Sequence, residues 1–311
     1  MQSFVTRYLK AVLVKKSVLC VGLDPTFQHV PKTFGHKGLP ALERYLEAVI
    51  DLAAEKVAVV KPQYAYYGAF GPSGIQMMIR IIAYAKSKGL LVILDAKRGD
   101  IGETMAQYAD EVFGRYGVDA CTFIPYLGPT FMANKGTLSW MNDLASGCMV
   151  ISMIRTSNPE AAWLQDQKLD SGLLVYEFLA EGVKAWNEQV MAATNNLGRV
   201  GGVVGATWPE QATSCRQHAG DEVFLLIPGY GAQGGGAAGA VEGLVNTRKE
   251  LMGTVNSSRG ITLDSWFDRK SGKPREGDPL TLVAAAIDDA NRDLNQALET
   301  KIGYPVYIHR G

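Results

Sequence analysis

The chain has 311 residues, 47% hydrophobic and 20% charged, which is enough apolar material to bury a sizeable core and excludes disorder as its dominant state. Its 31 Lys and Arg balance 31 Asp and Glu, so the positive excess of a general nucleic-acid or anionic-membrane binder is missing and any anion site must be local. The longest aliphatic runs, such as Leu90–Leu94, fall far short of the roughly 18 residues of a membrane span. Met1–Lys10 lacks a signal-peptide pattern, so a cytoplasmic protein is expected. Cys20, Cys121, Cys148 and Cys215 show no C-x-x-C spacing, and neither disulfides nor zinc is expected.

Along the chain, β-branched apolar runs recur at Ser17–Gly22, Val57–Lys61, Leu90–Asp95, Val118–Phe123, Cys148–Met153, Val200–Gly205, Val223–Ile227 and Leu251–Asn256. Most are continuous rather than alternating, the pattern of strands buried on both faces of a parallel sheet. Helix-period stretches lie between them. Leu42, Tyr45, Leu46, Val49 and Ala53 form one apolar stripe, and similar segments run through Ile75–Lys88, Thr104–Tyr116, Leu173–Ala193 and Leu280–Leu298. Eight strands alternating with helices predict an α/β fold, a (β/α)8 TIM barrel forming a single domain over residues 1–311, because eight strands close without spare edges. The long connections Ile154–Gly198 and Ser257–Asp278 read as insertions after strands 5 and 8, since neither has the apolar periodicity of a second core.

In such a barrel the active site lies where strands end, and the ends here are charged. The first run ends in Leu23-Asp24-Pro25, the second in Val60-Lys61-Pro62 and the third in Asp95-Ala96-Lys97-Arg98-Gly99-Asp100. Asp95 and Lys97, two apart, point to the same side if the extended chain persists to Lys97. Lys61, Asp95, Lys97 and Asp100 would form a set alternating in sign, either a structural ion-pair network or a catalytic one. Asp100-Ile101-Gly102-Glu103 also reads as a capping box, with Asp100 as the helix cap. Asp24 and Lys61 read equally as a turn residue and a solvated strand end.

Gly229-Tyr230-Gly231-Ala232-Gln233-Gly234 matches G-x-G-x-x-G, but no acidic residue closes the next strand as a dinucleotide site requires. Glycine-rich loops after strands 7 and 8 of a barrel instead bind phosphate, with Arg259 as a charged partner. His29, His36, His218 and His309 lie outside these motifs and suggest no metal.

The segment Asp95-Ala96-Lys97-Arg98-Gly99-Asp100-Ile101-Gly102-Glu103-Thr104 resembles the orotidine 5'-phosphate decarboxylase family, whose signature is D-x-K-x-x-D-I followed by a threonine. Asp24, Lys61, Thr156-Ser157-Asn158-Pro159, the Pro228–Gly235 loop and Arg259-Gly260 support it in order, and the whole looks like the longer bacterial branch. The resemblance implies that Lys97 protonates C6 as the substrate carboxylate leaves, with Asp95 beside that carboxylate and Lys61 and Asp100 holding the network. It also implies that Asp100, Ile101 and Thr104 act in the neighbouring subunit's site across a two-fold homodimer. Asp24 would bind ribose hydroxyls and Ser157 the pyrimidine edge. Gln233, Gly234, Arg259 and Gly260 would bind the phosphate, Gln233 also bridging toward the base. No cofactor and no metal are implied, and the partner is the small-molecule substrate orotidine 5'-phosphate.

Related Mg2+-dependent sugar-phosphate decarboxylases and hexulose-phosphate synthases share D-x-K-x-x-D, but carry a glutamate on the second strand where this chain has Lys61. Such an enzyme, a noncatalytic phosphometabolite-binding protein and, last, a Rossmann dehydrogenase are the competing readings. Arg98, Arg155 and the Ser257–Asp278 stretch have no assigned role.

Overall fold

Eight parallel strands close into one barrel in chain order, each overlapping a run of continuous apolar sequence. The structure is a computed structural model that describes residues 1–27, 30–36, 38–132, 140–232 and 234–303. The strands are β1 (Leu19–Leu23), β2 (Val59–Pro62), β3 (Leu91–Arg98), β4 (Ala120–Phe123), β5 (Met149–Arg155), β6 (Arg199–Val204), β7 (Leu225–Pro228) and β8 (Gly253–Ser257). Closure runs through β1, which pairs with β2 at Cys20 and Val59 and with β8 at Leu19 and Val255. Every residue of β1, β2, β4, β5 and β8 is buried, which explains why these runs do not alternate.

The helices are α1 (Phe4–Lys15), α2 (Leu39–Lys56), α3 (Tyr64–Gly68), α4 (Gly71–Ser87), α5 (Gly102–Ala109), α6 (Trp140–Ala145), α7 (Ala162–Gln165), α8 (Val175–Ala193), α9 (Pro209–Ala219), α10 (Ala237–Ala240), α11 (Arg259–Thr262) and α12 (Pro279–Ile302). The predicted stripe of α2 is its buried face, including Leu42, Tyr45, Leu46, Val49 and Ala53. The segment expected to be helical from Thr104 to Tyr116 divides: α5 gives way at Asp110 to a π-helix reaching Arg115, which buries Val112 and Phe113.

Of the helices without a counterpart in the expectation, α1 and α9 are the two longest. Ser3 caps α1 by accepting the Thr6 N–H at 3.1 Å. Phe4 and Tyr8 of α1 pack edge-on against Phe224, and the Tyr8 hydroxyl donates to the Gly253 carbonyl at 2.8 Å. Arg7 pairs with Asp119 at 2.6 Å. These contacts lie where strands begin, so α1 covers the bottom of the barrel and leaves the mouth on the opposite side. Helix α9 buries Ala212, Cys215, Arg216 and Ala219, a face without a large aliphatic residue and therefore without a visible period.

Of the stretch Ile154–Gly198, α8 takes 19 residues as the helix between β5 and β6, and the segment 156–174 carrying α7 precedes it. After β8 the chain forms α11 and then a hairpin of β9 (Phe267–Asp268) and β10 (Lys273–Pro274). Trp266 is buried here, its Nε1 donating to the Tyr45 hydroxyl at 3.0 Å, which fastens this stretch to α2.

Candidate active site

Asp95, near the end of β3, is the hub of the barrel mouth. Its Oδ2 accepts from Lys61 Nζ at 3.1 Å, and its Oδ1 accepts from Lys97 Nζ at 2.6 Å and from the Thr122 hydroxyl at 3.0 Å. Burial opposes charge on Asp95, yet the Lys61 and Lys97 ammoniums outweigh it and hold the carboxyl well below the usual carboxylate range. Burial likewise works against the charge on Lys61, which is 3% exposed, but Asp95 and Asp24 outweigh it and keep its pKa above the ordinary lysine range. Asp95 and Lys61 thus stand as a buried ion pair, and Lys97, with 41% of its side chain exposed, is the solvent-facing member of the hub.

Lys97 reaches Asp95, but not along an extended chain. Its φ is 49°, in the left-handed region, and the β3–β4 register shifts between Leu94 and Arg98. A bulge therefore turns Lys97 inward, a conformation that costs a non-glycine residue free energy. Two anchors hold it. The Lys97 N–H donates to the Thr122 hydroxyl at 2.9 Å. The next residue, Arg98, forms a double hydrogen bond to Glu111 at 2.8 Å each and lies over the rings of Tyr64 and Tyr108. Glu111 belongs to the π-helix, so the irregularities in β3 and after α5 meet at one ion pair. Thr122 escaped the sequence reading because a threonine within an apolar strand is ordinary there.

The cavity above the hub has a volume of about 260 Å³. Asp24, Lys61, Asp95, Lys97 and Ser157 all line it, as the sequence predicts. Met153, Val203 and Leu226 add an apolar wall that the sequence does not mark, because these residues are indistinguishable from core. Asn256 and Ser258, at and just beyond the end of β8, complete the side around Asp24. Burial pushes the Asp24 carboxyl above its ordinary value, with Lys61 and Ser258 opposing.

Ser157 is placed by a close approach: a Cβ on Gly205 would lie 2.6 Å from the Ser157 Cα, so only glycine lets the β5 loop settle there. Arg155, fully buried, braces that loop. Its Nη1 donates to the Thr156 carbonyl at 2.8 Å, its Nε lies 2.9 Å from Asp166 Oδ1, and its guanidinium sits over the Trp208 ring. The segment carrying α7 thereby serves the site, with Gln165 Oε1 accepting the Thr156 N–H at 2.8 Å.

The expected phosphate residues are only partly assembled. The loop after β7 needs its glycines, since Gly229, Gly231 and Gly234 all have positive φ. Its tip approaches the start of α11, where a Cβ on Gly260 would be 3.9 Å from the Ala232 nitrogen. Arg259 lines not the main cavity but an adjoining cleft of about 180 Å³, which shares Asp24 with it and also contains Arg269. The Gly234 N–H donates to the Gly231 carbonyl at 2.8 Å, so the loop itself uses that donor. Gln233 lies outside the described residues, as do His29 and His309.

Asp100, Ile101 and Thr104 line neither space. The four-charge set is therefore a three-charge set within one chain. Asp100 is not a helix cap either: α5 starts at Gly102 with Ile101 at the N-cap and no side-chain cap, while Asp100 accepts only the adjacent Ile101 N–H, at 2.8 Å. Ile101 is 63% exposed and shares this rim with exposed Ile124, Tyr126 and Leu127. Among the described residues, no three His, Cys, Asp or Glu side chains are grouped as metal ligation requires.

A profile of the orotidine 5'-phosphate decarboxylase / HUMPS family matches residues 17–268. The chain is 37% identical over 312 aligned positions to the orotidine 5'-phosphate decarboxylase of Rhodopirellula baltica, spanning 94% of this chain and 99% of that one. It is 35% identical over 301 positions to the Bordetella petrii enzyme of the same name, spanning 95% and 98%. The solved structure of Leishmania donovani OMP decarboxylase matches with a TM-score of 0.71 at 26% identity, over 96% of this chain and 99% of that one. With the profile spanning all eight strands and the relatives aligned nearly end to end, this chain belongs to the orotidine 5'-phosphate decarboxylase / HUMPS family.

Proposed function

We propose that the chain decarboxylates orotidine 5'-phosphate to uridine 5'-phosphate and CO2, the last step of de novo UMP formation. The observation that carries this reading is the Asp95 carboxylate gripped by Lys61 at 3.1 Å and Lys97 at 2.6 Å beneath a cavity with an apolar wall. As the C6–carboxylate bond breaks, its electron pair stays on C6 and the developing carbanion meets a fixed ammonium. Lys97 then gives a proton to C6 and is reprotonated from solvent. Asp95 holds Lys97 in place and faces the substrate carboxylate, and Ser157 reads the pyrimidine edge. Arg259, with the amides of Gly234 and Gly260 and the side chain of Gln233, takes the phosphate once the loop after β7 closes on it. Lys61 on β2 favours this chemistry over that of the Mg2+-dependent relatives, and no cofactor enters the scheme.

The active unit is a homodimer of single-domain barrels. Asp100, Ile101 and Thr104 do not line their own chain's cavity, and Ile101 is exposed together with Ile124, Tyr126 and Leu127, which supports their delivery to a partner's site. No helix among the described residues is long and apolar enough to cross a membrane. The balance of 31 basic and 31 acidic residues supports a cytoplasmic enzyme without a nucleic-acid or membrane partner. Turnover in D2O tests the proton step. The product is expected to carry one deuterium at C6, formed by the wild type and not by Lys97→Ala, whereas undiminished turnover by Lys97→Ala would remove Lys97 from the mechanism.

A further inference from the structure

The chain leaving β3 carries residues with two destinations. Lys97 meets Asp95 in its own cavity at 2.6 Å, whereas Asp100, Ile101 and Thr104 line neither space of their own chain. Arg98 stands between the two groups. Its side chain, 14% exposed, folds the chain back on itself through the double hydrogen bond to Glu111. The segment so closed, 98–111, contains all three of those residues.

Both members of this pair are fixed from several sides. Glu111 Oε1 also accepts the Tyr116 hydroxyl at 2.9 Å, and the Glu111 carbonyl accepts the Tyr116 N–H at 3.0 Å, a bond spanning five residues as a π-helix requires. The Arg98 guanidinium lies 4.2 Å from the centre of the Tyr64 ring and 5.0 Å from that of Tyr108. Tyr64 opens α3 just after β2, so the contact extends to the side of the hub that bears Lys61. The Arg98 carbonyl accepts the Ile124 N–H at 2.8 Å, and a Cβ on Gly99 would lie 2.9 Å from the Ile124 carbonyl oxygen, which sets the chain after Arg98 against an exposed rim residue. Only a planar fork can serve two parallel bonds to one carboxylate while facing two rings, which a lysine ammonium cannot do.

We propose that the Arg98–Glu111 ion pair is a clasp that makes the Lys97 bulge and the segment 99–104 one rigid unit, so that a single pair positions the ammonium of its own site and the residues lent to the partner's site. The left-handed backbone of Lys97, φ 49°, persists only if its surroundings over-determine it, and Thr122 holds it from the β4 side alone. Arg98 and Glu111 line neither space and act through Lys97 and Asp100, which makes them positioning residues. This rests on the orotidylate reading and its two-fold dimer.

The test introduces Glu111→Gln or Arg98→Lys into one chain of a heterodimer at a time. Separately tagged Lys97→Ala and Asp100→Ala chains form a dimer with one competent site, which takes Asp100 from the first chain and Lys97 from the second. Either clasp variant, placed in either chain, is expected to lower turnover about 10-fold or more, with melting curves showing that the dimer stays folded. A loss from one chain only, or from neither, overturns the proposal, as does a parent heterodimer without activity. The crystal structure of each variant homodimer reads the clasp without substrate. Lys97 is expected to leave its left-handed conformation, with Nζ more than about 4 Å from Asp95 and 99–104 displaced along with it. Lys97 and 99–104 both unmoved would refute the clasp. Should Arg98→Lys fail to fold, Glu111→Gln, which keeps the side chain's shape, carries both measurements. A wild type that turns over no orotidylate would sink the activity, and the variant structures would still decide the clasp.

Discussion

Thr122 donates its hydroxyl proton to Asp95 Oδ1 at 3.0 Å while accepting the backbone N–H of Lys97 at 2.9 Å, so one side chain fixes both the carboxylate and the bulge that carries the ammonium. Removing that hydroxyl should loosen Lys97 without touching substrate. Thr122→Val is expected to lower kcat by about 10- to 100-fold with little change in KM, and Thr122→Ser to restore most of the rate. Steady-state kinetics of the two variants checks this, and a Thr122→Val enzyme at the wild-type kcat would show that the bulge holds by itself.

Asp95→Asn should abolish turnover and also destabilise the fold, because it strands the buried Lys61 charge. Breaking such a pair costs on the order of 3 kcal/mol. The pH dependence has a definite sign. The folded pKa of Asp95 is depressed, so its contribution is present at neutral pH and fades as pH falls from about 4 toward the folded value. Urea denaturation at several pH values should show a gap between wild type and variant that is wide at pH 7 and narrows in acid. Equal stability at pH 7 would argue against the ion pair.

Asp24→Asn should behave in the opposite way. Burial raises the folded pKa of Asp24 above its unfolded value, so ionising it costs stability as pH rises through about 4 and beyond its folded value. The variant should therefore melt higher than wild type at neutral pH, match it more nearly in acid, and show a KM raised at least about tenfold. A variant that melts lower at pH 7 would mean that the carboxylate stabilises the empty protein.

Composite sites predict complementation between two inactive proteins. Asp100→Ala and Lys97→Ala should each lose activity alone. After mixing under dissociating conditions and reassociation, a heterodimer would combine Lys97 of one chain with Asp100 of the other at one of its two sites, restoring about a quarter of wild-type activity at random pairing. Activity that stays at the level of the separate variants would place Asp100 in its own chain's chemistry.

The sequence carries the barrel and the charged hub because both are written in residue type and order. Strands buried on two faces need continuous apolar runs, and the residues ending them must stand at the mouth, as Asp24, Lys61 and Asp95 do. Other features depend on geometry that sequence does not encode locally. Lys97 meets Asp95 through a bulge at φ 49° rather than by strand alternation. Helix α9 hides its period because Arg216 occupies the buried face, donating to the carbonyls of Gly243, Val223 and Met252 beneath β7 and β8. Thr122 and Asn256 look like ordinary strand residues until their neighbours are placed, and Arg155 gains its role only when Asp166 comes within 2.9 Å. Arg259, expected in the phosphate site, lines the adjoining cleft, a placement that depends on how the loops after β7 and β8 settle and not on residue type.

The most direct measurement is the ultraviolet change on incubating the purified chain with orotidine 5'-phosphate in excess EDTA, with Lys97→Ala as the control. Rapid conversion to uridine 5'-phosphate that survives the chelator and vanishes in the control is the predicted result. A folded wild-type dimer that leaves orotidine 5'-phosphate unchanged, or that needs added Mg2+ to act, would contradict the assignment and point to the sugar-phosphate chemistry of its relatives.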